Sequence, residues 1–231
     1  MSAAVARSVR AAAKADEASR IRGVPVPACF PAAGDVRVLC VGEAPGPRGA
    51  DKSGVPFFGD RAGAPLYRAL EAAGACSLPA TAWSLAWDGA VFAAAGLRPV
   101  LHGLALGNAF DRCPTDDGRR FRAPTRAELT SPENEARLVA DLDHASSRGL
   151  VLIVPLGRVA TQVIERLLAT HGATRWPAVR CAPVVHPSAQ GLLSMAPDRG
   201  RGARLADLAA QWEAALVTLI APVLSPGASR A

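Results

Sequence analysis

Residues 149–156, GLVLIVPL, are a continuous apolar run between two glycines, Gly149 and Gly157. A run this short, with no polar alternation, reads as a strand buried on both faces, and such strands belong to parallel sheets covered by helices. Three more segments fit the same sheet: residues 36–41, 101–110 and 179–185. Helical patterns separate them over residues 3–20, 62–73, 157–170 and 203–220, and Ser131-Pro132-Glu133 is a strong helix start, with a capping hydroxyl, a first-turn proline and an acid. Alternating strands and helices predict a three-layer α/β/α fold around a short central, mainly parallel four-stranded sheet. At 231 residues the chain fits one domain. Within it, residues 1–35 form an N-terminal helix and a Pro-rich lead-in. Residues 75–100 form an atypical insertion anchored by Trp83, Trp87 and Phe92.

In such folds ligands bind beyond the carboxyl ends of the strands. Gly42, Glu43, Asn108, Gly157 and His186 each stand at or just after an expected strand end, so they should converge. The loop after the first strand interleaves glycines with the acids Glu43 and Asp60 and the rings of Phe57 and Phe58, which suits one wall of a pocket. Its stretch GPRGADKS resembles a phosphate-binding loop, but Asp51 stands where the glycine before the lysine is required, and an acid there repels a β-phosphate. No G-x-G-x-x-G follows the first strand, which excludes a dinucleotide fingerprint.

Net charge is +6 and the pI is about 9.6, which favours acidic partners such as nucleic acid. Lys14 and Lys52 are the only lysines, so the excess is arginine, which an Ala-, Gly- and Pro-rich composition also produces. The five cysteines include no C-x-x-C pair, against both a disulfide framework and a local zinc site. No signal core or bilayer-length apolar run is evident, so a cytoplasmic protein is expected.

Taken in order, these motifs resemble the uracil-DNA glycosylase superfamily over most of residues 36–193. GEAPG (42–46) is similar to the first motif of family 4. GADKSG followed by FFGDRAG, with Asp60 inside it, is more similar to family 5. PTRAE (124–128), LGRVA (156–160) and HPS (186–188) complete the set. Families 4 and 5 hold a [4Fe–4S] cluster on four cysteines. Here Cys113 alone stands at a matching position, the N-terminal pair is missing, and the helix after PTRAE has no cysteine, so no cofactor is expected. Ala44 stands where family 1 carries a catalytic aspartate, and Gly46 where a tyrosine excludes thymine's methyl group.

The resemblance implies a monomeric, monofunctional enzyme that flips uracil out of single- or double-stranded DNA and hydrolyses its glycosidic bond. Phe57 would stack on the base and Asn108 would read its edge, with Gly42 and Ser188 beside the substrate. His186 and loop N–H groups at Gly42–Glu43 would stabilise the departing oxyanion. Asp60, slightly favoured over Glu43, would orient the water. Leu192 or Leu193 would wedge into the vacated stack. Arg119, Arg120, Arg122, Arg199 and Arg201 would meet DNA. Because Gly46 leaves no tyrosine wall, hypoxanthine, xanthine or mismatched thymine are further candidate bases. Two other readings stand beside this one. The first is a protein that binds or covalently traps uracil sites, although Arg122 replaces the histidine such trapping would need. The second is a small-molecule nucleoside hydrolase using Glu43 and His186.

Overall fold

The computed structural model describes residues 20–225, except for the side chains of residues 198 and 199. The helix expected over residues 3–20 therefore lies outside the described residues but for Arg20. In chain order the first elements are β1 (Val38–Gly42), α1 (Ala50–Ser53) and α2 (Gly63–Ala72). A small antiparallel pair, β2 (Cys76–Ser77) and β3 (Val100–Leu101), brackets the short helix α3 (Gly89–Ala94). Then come β4 (Leu104–Asn108), α4 (Arg126–Leu129), α5 (Pro132–Ser147), β5 (Leu152–Pro155) and α6 (Arg158–Leu167). The chain closes with β6 (Arg180–Cys181), α7 (Ala189–Leu193) and α8 (Leu205–Leu224).

The central sheet has the order β4-β1-β5-β6, with every neighbouring pair parallel. Alternate residues of β1 face opposite ways. Val38 and Cys40 join a core with α2 and α8, whereas Leu39 and Val41 join one with α5 and α6. This is the expected three-layer architecture, built on one sheet that is buried on both faces. Helix starts follow the sequence signals: Ser131 accepts from the Asn134 N–H, and Thr125 and Glu128 complete a reciprocal capping box on α4.

Three features differ from expectation. The strand expected over residues 101–110 is split, because Gly103 at φ +65° turns the chain between β3 and β4. The strand expected over residues 179–185 is formally two residues long. Its ladder nevertheless continues, with N–H groups of Arg180, Ala182 and Val184 donating to Val151, Ile153 and Pro155. Pro183 falls at the alternate, outward position of this edge, where a missing N–H costs nothing. Finally, α8 is long and apolar enough to cross a membrane, with mean hydropathy 1.3, contrary to the expectation of no such run. Its stripe of Leu208, Trp212, Leu216 and Ile220 is buried in the core against α2 and the sheet.

Candidate active site

Parallel pairing sets Gly42 directly opposite Asn108 at the carboxyl ends of β1 and β4. A Cβ on Gly42 would lie 2.5 Å from Phe57 Cζ and 2.7 Å from Asn108 Oδ1, so the ring and the amide meet over a bare backbone. Both are buried, at 5% and 3% exposure. Among the described residues Phe57 is the one non-glycine with positive φ, at 63°. Strain of this kind persists where the surroundings over-determine it. The surroundings do so here: the Asp60 N–H donates to the Phe57 carbonyl at 3.1 Å, and Gly63 at the start of α2 has no room for a side chain against that carbonyl. Phe58 turns the other way, stacked on Phe92 at 4.3 Å within the core. The Nδ2 of Asn108 is buried without a hydrogen-bond partner. An unsatisfied donor of this kind costs about 1–3 kcal/mol.

The next residue opens onto a second space. Glu43 lines a cleft of about 530 Å³ together with Gly157, Arg158, His186, Ser188 and Gln190. Burial raises the Glu43 pKa and the Arg158 guanidinium pulls it back. Burial lowers that of His186, so its imidazole is neutral at pH 7. Close approaches fix the histidine. Gly157, at φ +91°, would set a Cβ 2.9 Å from His186 Cβ, and Gly191 would set one 1.9 Å from the His186 carbonyl oxygen. The Trp212 indole N–H donates to the Val185 carbonyl at 2.9 Å. Ser188 Oγ accepts from the Gly191 N–H at 3.3 Å, capping α7 at the rim of the cleft. The two spaces adjoin through the backbone, because the Ala109 and Phe110 N–H groups donate to the Gly42 and Glu43 carbonyls.

Asp60, expected to orient the water, is not among the residues that line this cleft. Its Oδ1 accepts from the Gly49 N–H at 3.0 Å and its Oδ2 from the Ala50 N–H at 3.1 Å. Burial pushes its pKa up to about 6 against the pull of backbone N–H groups from Ala50, Gly46 and Gly49. The Trp87 indole donates to its carbonyl at 2.8 Å. Asp60 thus clamps the loop from within. A Cβ on Gly46 would fall 2.1 Å from Asp60 Oδ1, so the absent side chain at Gly46 faces this clamp. Its smallness has a packing cause independent of which base is bound. The rejected phosphate loop has structural work as well. Buried Asp51 accepts from the Arg22 and Gly23 N–H groups, each at 2.9 Å, and Lys52 Nζ reaches Asp51 and the Arg20 carbonyl.

Two of the residues expected at DNA have partners within the protein. Arg122 is engaged with Glu128, through two donors at 2.8 and 2.7 Å, and with Asp116 at 2.8 Å. It folds the 116–128 loop back on itself. Leu192 is buried in the core; Leu193 is half-buried and borders a surface depression. Arg119, Arg120 and Arg201 are exposed, and the side chain of Arg199 lies outside the described ones.

The cluster implied by the resemblance would draw on the lead-in, the Cys113 segment and the start of α5. Those three segments border a hollow of about 560 Å³ whose lining includes Pro25, Asp111, Arg112, Asn134 and Arg137, and no thiol. Burial pushes the nearby Cys113 thiol up to about 12. Among the described residues no three His, Cys, Asp or Glu side chains are grouped to hold a metal. This donor set does not fit a four-thiolate cluster. Sequence reasoning missed Arg158, Asn134 and Arg137. Arg158 was traceable in LGRVA, three residues past the end of β5. The other two looked like ordinary helix-surface residues.

The family model described as "Uracil DNA glycosylase superfamily" matches residues 30–209. A "Type-5 uracil-DNA glycosylase" of Mycobacterium leprae (strain TN) is 33% identical over 173 residues, which is 68% of this chain. The match spans 66% of that relative, just under two thirds of its length.

Proposed function

Because this chain belongs to the uracil DNA glycosylase superfamily, we propose that it excises uracil from DNA by flipping the base and hydrolysing its N-glycosidic bond. One observation carries the reading: a buried, unpartnered amide N–H of Asn108 beside the Phe57 ring, at the carboxyl end of the sheet. Uracil supplies what that amide lacks. Its O4 accepts from Nδ2 while its N3–H donates to Oδ1. Cytosine presents the opposite pattern and leaves both ends unpaired, a penalty that gives strong discrimination. Phe57 provides a face that stacks on any planar ring.

Bond cleavage places negative charge on the base and positive character on the sugar. A neutral His186 keeps an N–H with which to meet the developing oxyanion at O2, and one such donor is worth about 3 kcal/mol of barrier. Glu43 is the favoured carboxylate for orienting water. It shares the open cleft with His186 and directly follows Gly42, whereas both oxygens of Asp60 are engaged by the loop. Of the described lysines, Lys52 is held in the clasp with Asp51 and the Arg20 carbonyl, which supports simple hydrolysis to an intact abasic site over a Schiff-base step.

The test is single-turnover incubation with oligonucleotides carrying one uracil, hypoxanthine, xanthine or mismatched thymine, followed by alkaline cleavage. Strand breakage at uracil is expected; a wild-type protein that leaves uracil intact defeats the reading. Asn108→Asp, which exchanges a donor for an acceptor, should slow uracil release and move preference toward cytosine.

A further inference from the structure

The turn that carries Asn108 is held from α5 by two side chains outside the cleft. Arg137 Nη2 donates to the Asn108 carbonyl at 3.1 Å, the Ala109 carbonyl at 3.2 Å and Asn134 Oδ1 at 2.8 Å. Asn134, buried at 5% exposure, donates from Nδ2 to the Ala109 carbonyl at 2.9 Å and the Leu129 carbonyl at 3.2 Å. Arg137 is itself oriented by Asp141, which accepts from Nη1 at 3.0 Å. Its Nε is buried without a hydrogen-bond partner, with Asp111 Oδ2 4.0 Å away. The same turn then reaches β1, through the Ala109 and Phe110 N–H groups on the Gly42 and Glu43 carbonyls.

We propose that Arg137 and Asn134 are positioning residues that fix the aim of the Asn108 amide through the backbone at the end of β4. They form a protein-only brace at the junction whose residues do not fit the iron–sulfur cluster of families 4 and 5. The inference rests on the reading of Asn108 as the residue that recognises the base. Recognition by one amide demands close placement, and a displacement of about 1 Å in a reacting constellation can cost ~100-fold in rate. Fixing both carbonyls at the strand end removes the backbone freedom that would allow it.

The full chain is tested as Arg137→Ala, Arg137→Lys and Asn134→Ala. For Arg137→Ala the single-turnover rate on uracil DNA should fall by about 20-fold or more while the DNA concentration for half-saturation moves less than about threefold. Arg137→Lys, which keeps the charge but lacks the planar fork that bonds Asp141 and the turn at once, should recover part of the rate. Independently of activity, amide hydrogen exchange at Ala109 and Phe110 should accelerate by about tenfold or more in Arg137→Ala, with Leu39–Val41 unchanged. Wild-type rates in Arg137→Ala, or unchanged exchange at Ala109 and Phe110, overturn the proposal. A loss of rate that only follows the unfolded fraction in thermal melts overturns it as well. Should Arg137→Ala not fold, Asn134→Ala is read by the same two measurements. An inactive wild type defeats the glycosylase reading instead, and the exchange measurement then decides whether the brace exists.

Discussion

Burial raises the pKa of both Glu43 and Asp60, and the consequences differ because their neighbours differ. Glu43 faces an open cleft and one cation, so its charge is available to chemistry. Glu43→Gln should slow excision by roughly 100-fold or more with little change in melting temperature. The Glu43 carboxylate must be ionised to orient water, so its raised pKa moves the acid limb of the rate profile above the ordinary carboxylate position. Arg158→Ala removes the opposing pull and should move that limb higher still. Asp60 faces N–H groups of its own loop. Asp60→Asn would turn an NH₂ toward the Gly49 and Ala50 donors and should cost about 1–3 kcal/mol in stability. The sign of its pH dependence follows from a folded-state pKa of about 6 against 3.8 when free. The folded state favours the protonated form, so the Asp60 contribution is full below pH 3.8 and is lost as pH rises through 6. The melting-temperature gap between wild type and Asp60→Asn should therefore widen on acidification across that window. Equal gaps at pH 7 and pH 4 would contradict a raised pKa at Asp60.

The segment 75–100, closed by β2 and β3, braces the active-site loop from outside. The Gly89 N–H donates to the Arg48 carbonyl at 2.9 Å, and a Cβ on Gly89 would lie 2.1 Å from the Gly49 carbonyl oxygen. Asp88 caps α3 through the Ala90 and Val91 N–H groups. Gly89→Ala should leave α3 intact by circular dichroism yet lower excision by about tenfold or more, by pushing Gly49 off the Asp60 clamp. This element also marks where sequence reading fell short. Trp83, Trp87 and Phe92 were legible as anchors, and Trp87 and Phe92 do pack around Phe58. The indole hydrogen bond to Asp60 links positions 27 residues apart and has no local signal. The helices α1, α4 and α7 run only four or five residues, too short to show periodicity. Long apolar strands and capped helices were readable because their cause is local. The engagement of Asp60 by its own loop was not, because it depends on which way a glycine-rich segment folds back.

At the scale of the whole molecule, the fold layers followed from apolar runs, and α8 ties one layer to the site. Its Leu216 is 1% exposed in the core, and one turn away Trp212 holds the strand end before His186. Leu216→Ala should cost about 2–5 kcal/mol and lower the melting temperature, with the protein remaining in the aqueous fraction. An unchanged melt would mean that α8 is not a core helix. The lead-in segment has the widest reach. Asp51 and Lys52 grip residues 20–23 beside the loop that carries Phe57. Ile21, Val26 and Cys29 bond to Gly118, Asp111 and Leu106, around the turn that carries Asn108. During synthesis, this stretch must wait until residue 118 has emerged before all of its partners exist. Loop closure over that separation is slow. The two walls of the site are therefore stitched together by a segment that is translated before its partners, and its bonds can form before the strands β5 and β6 that complete the sheet have been made.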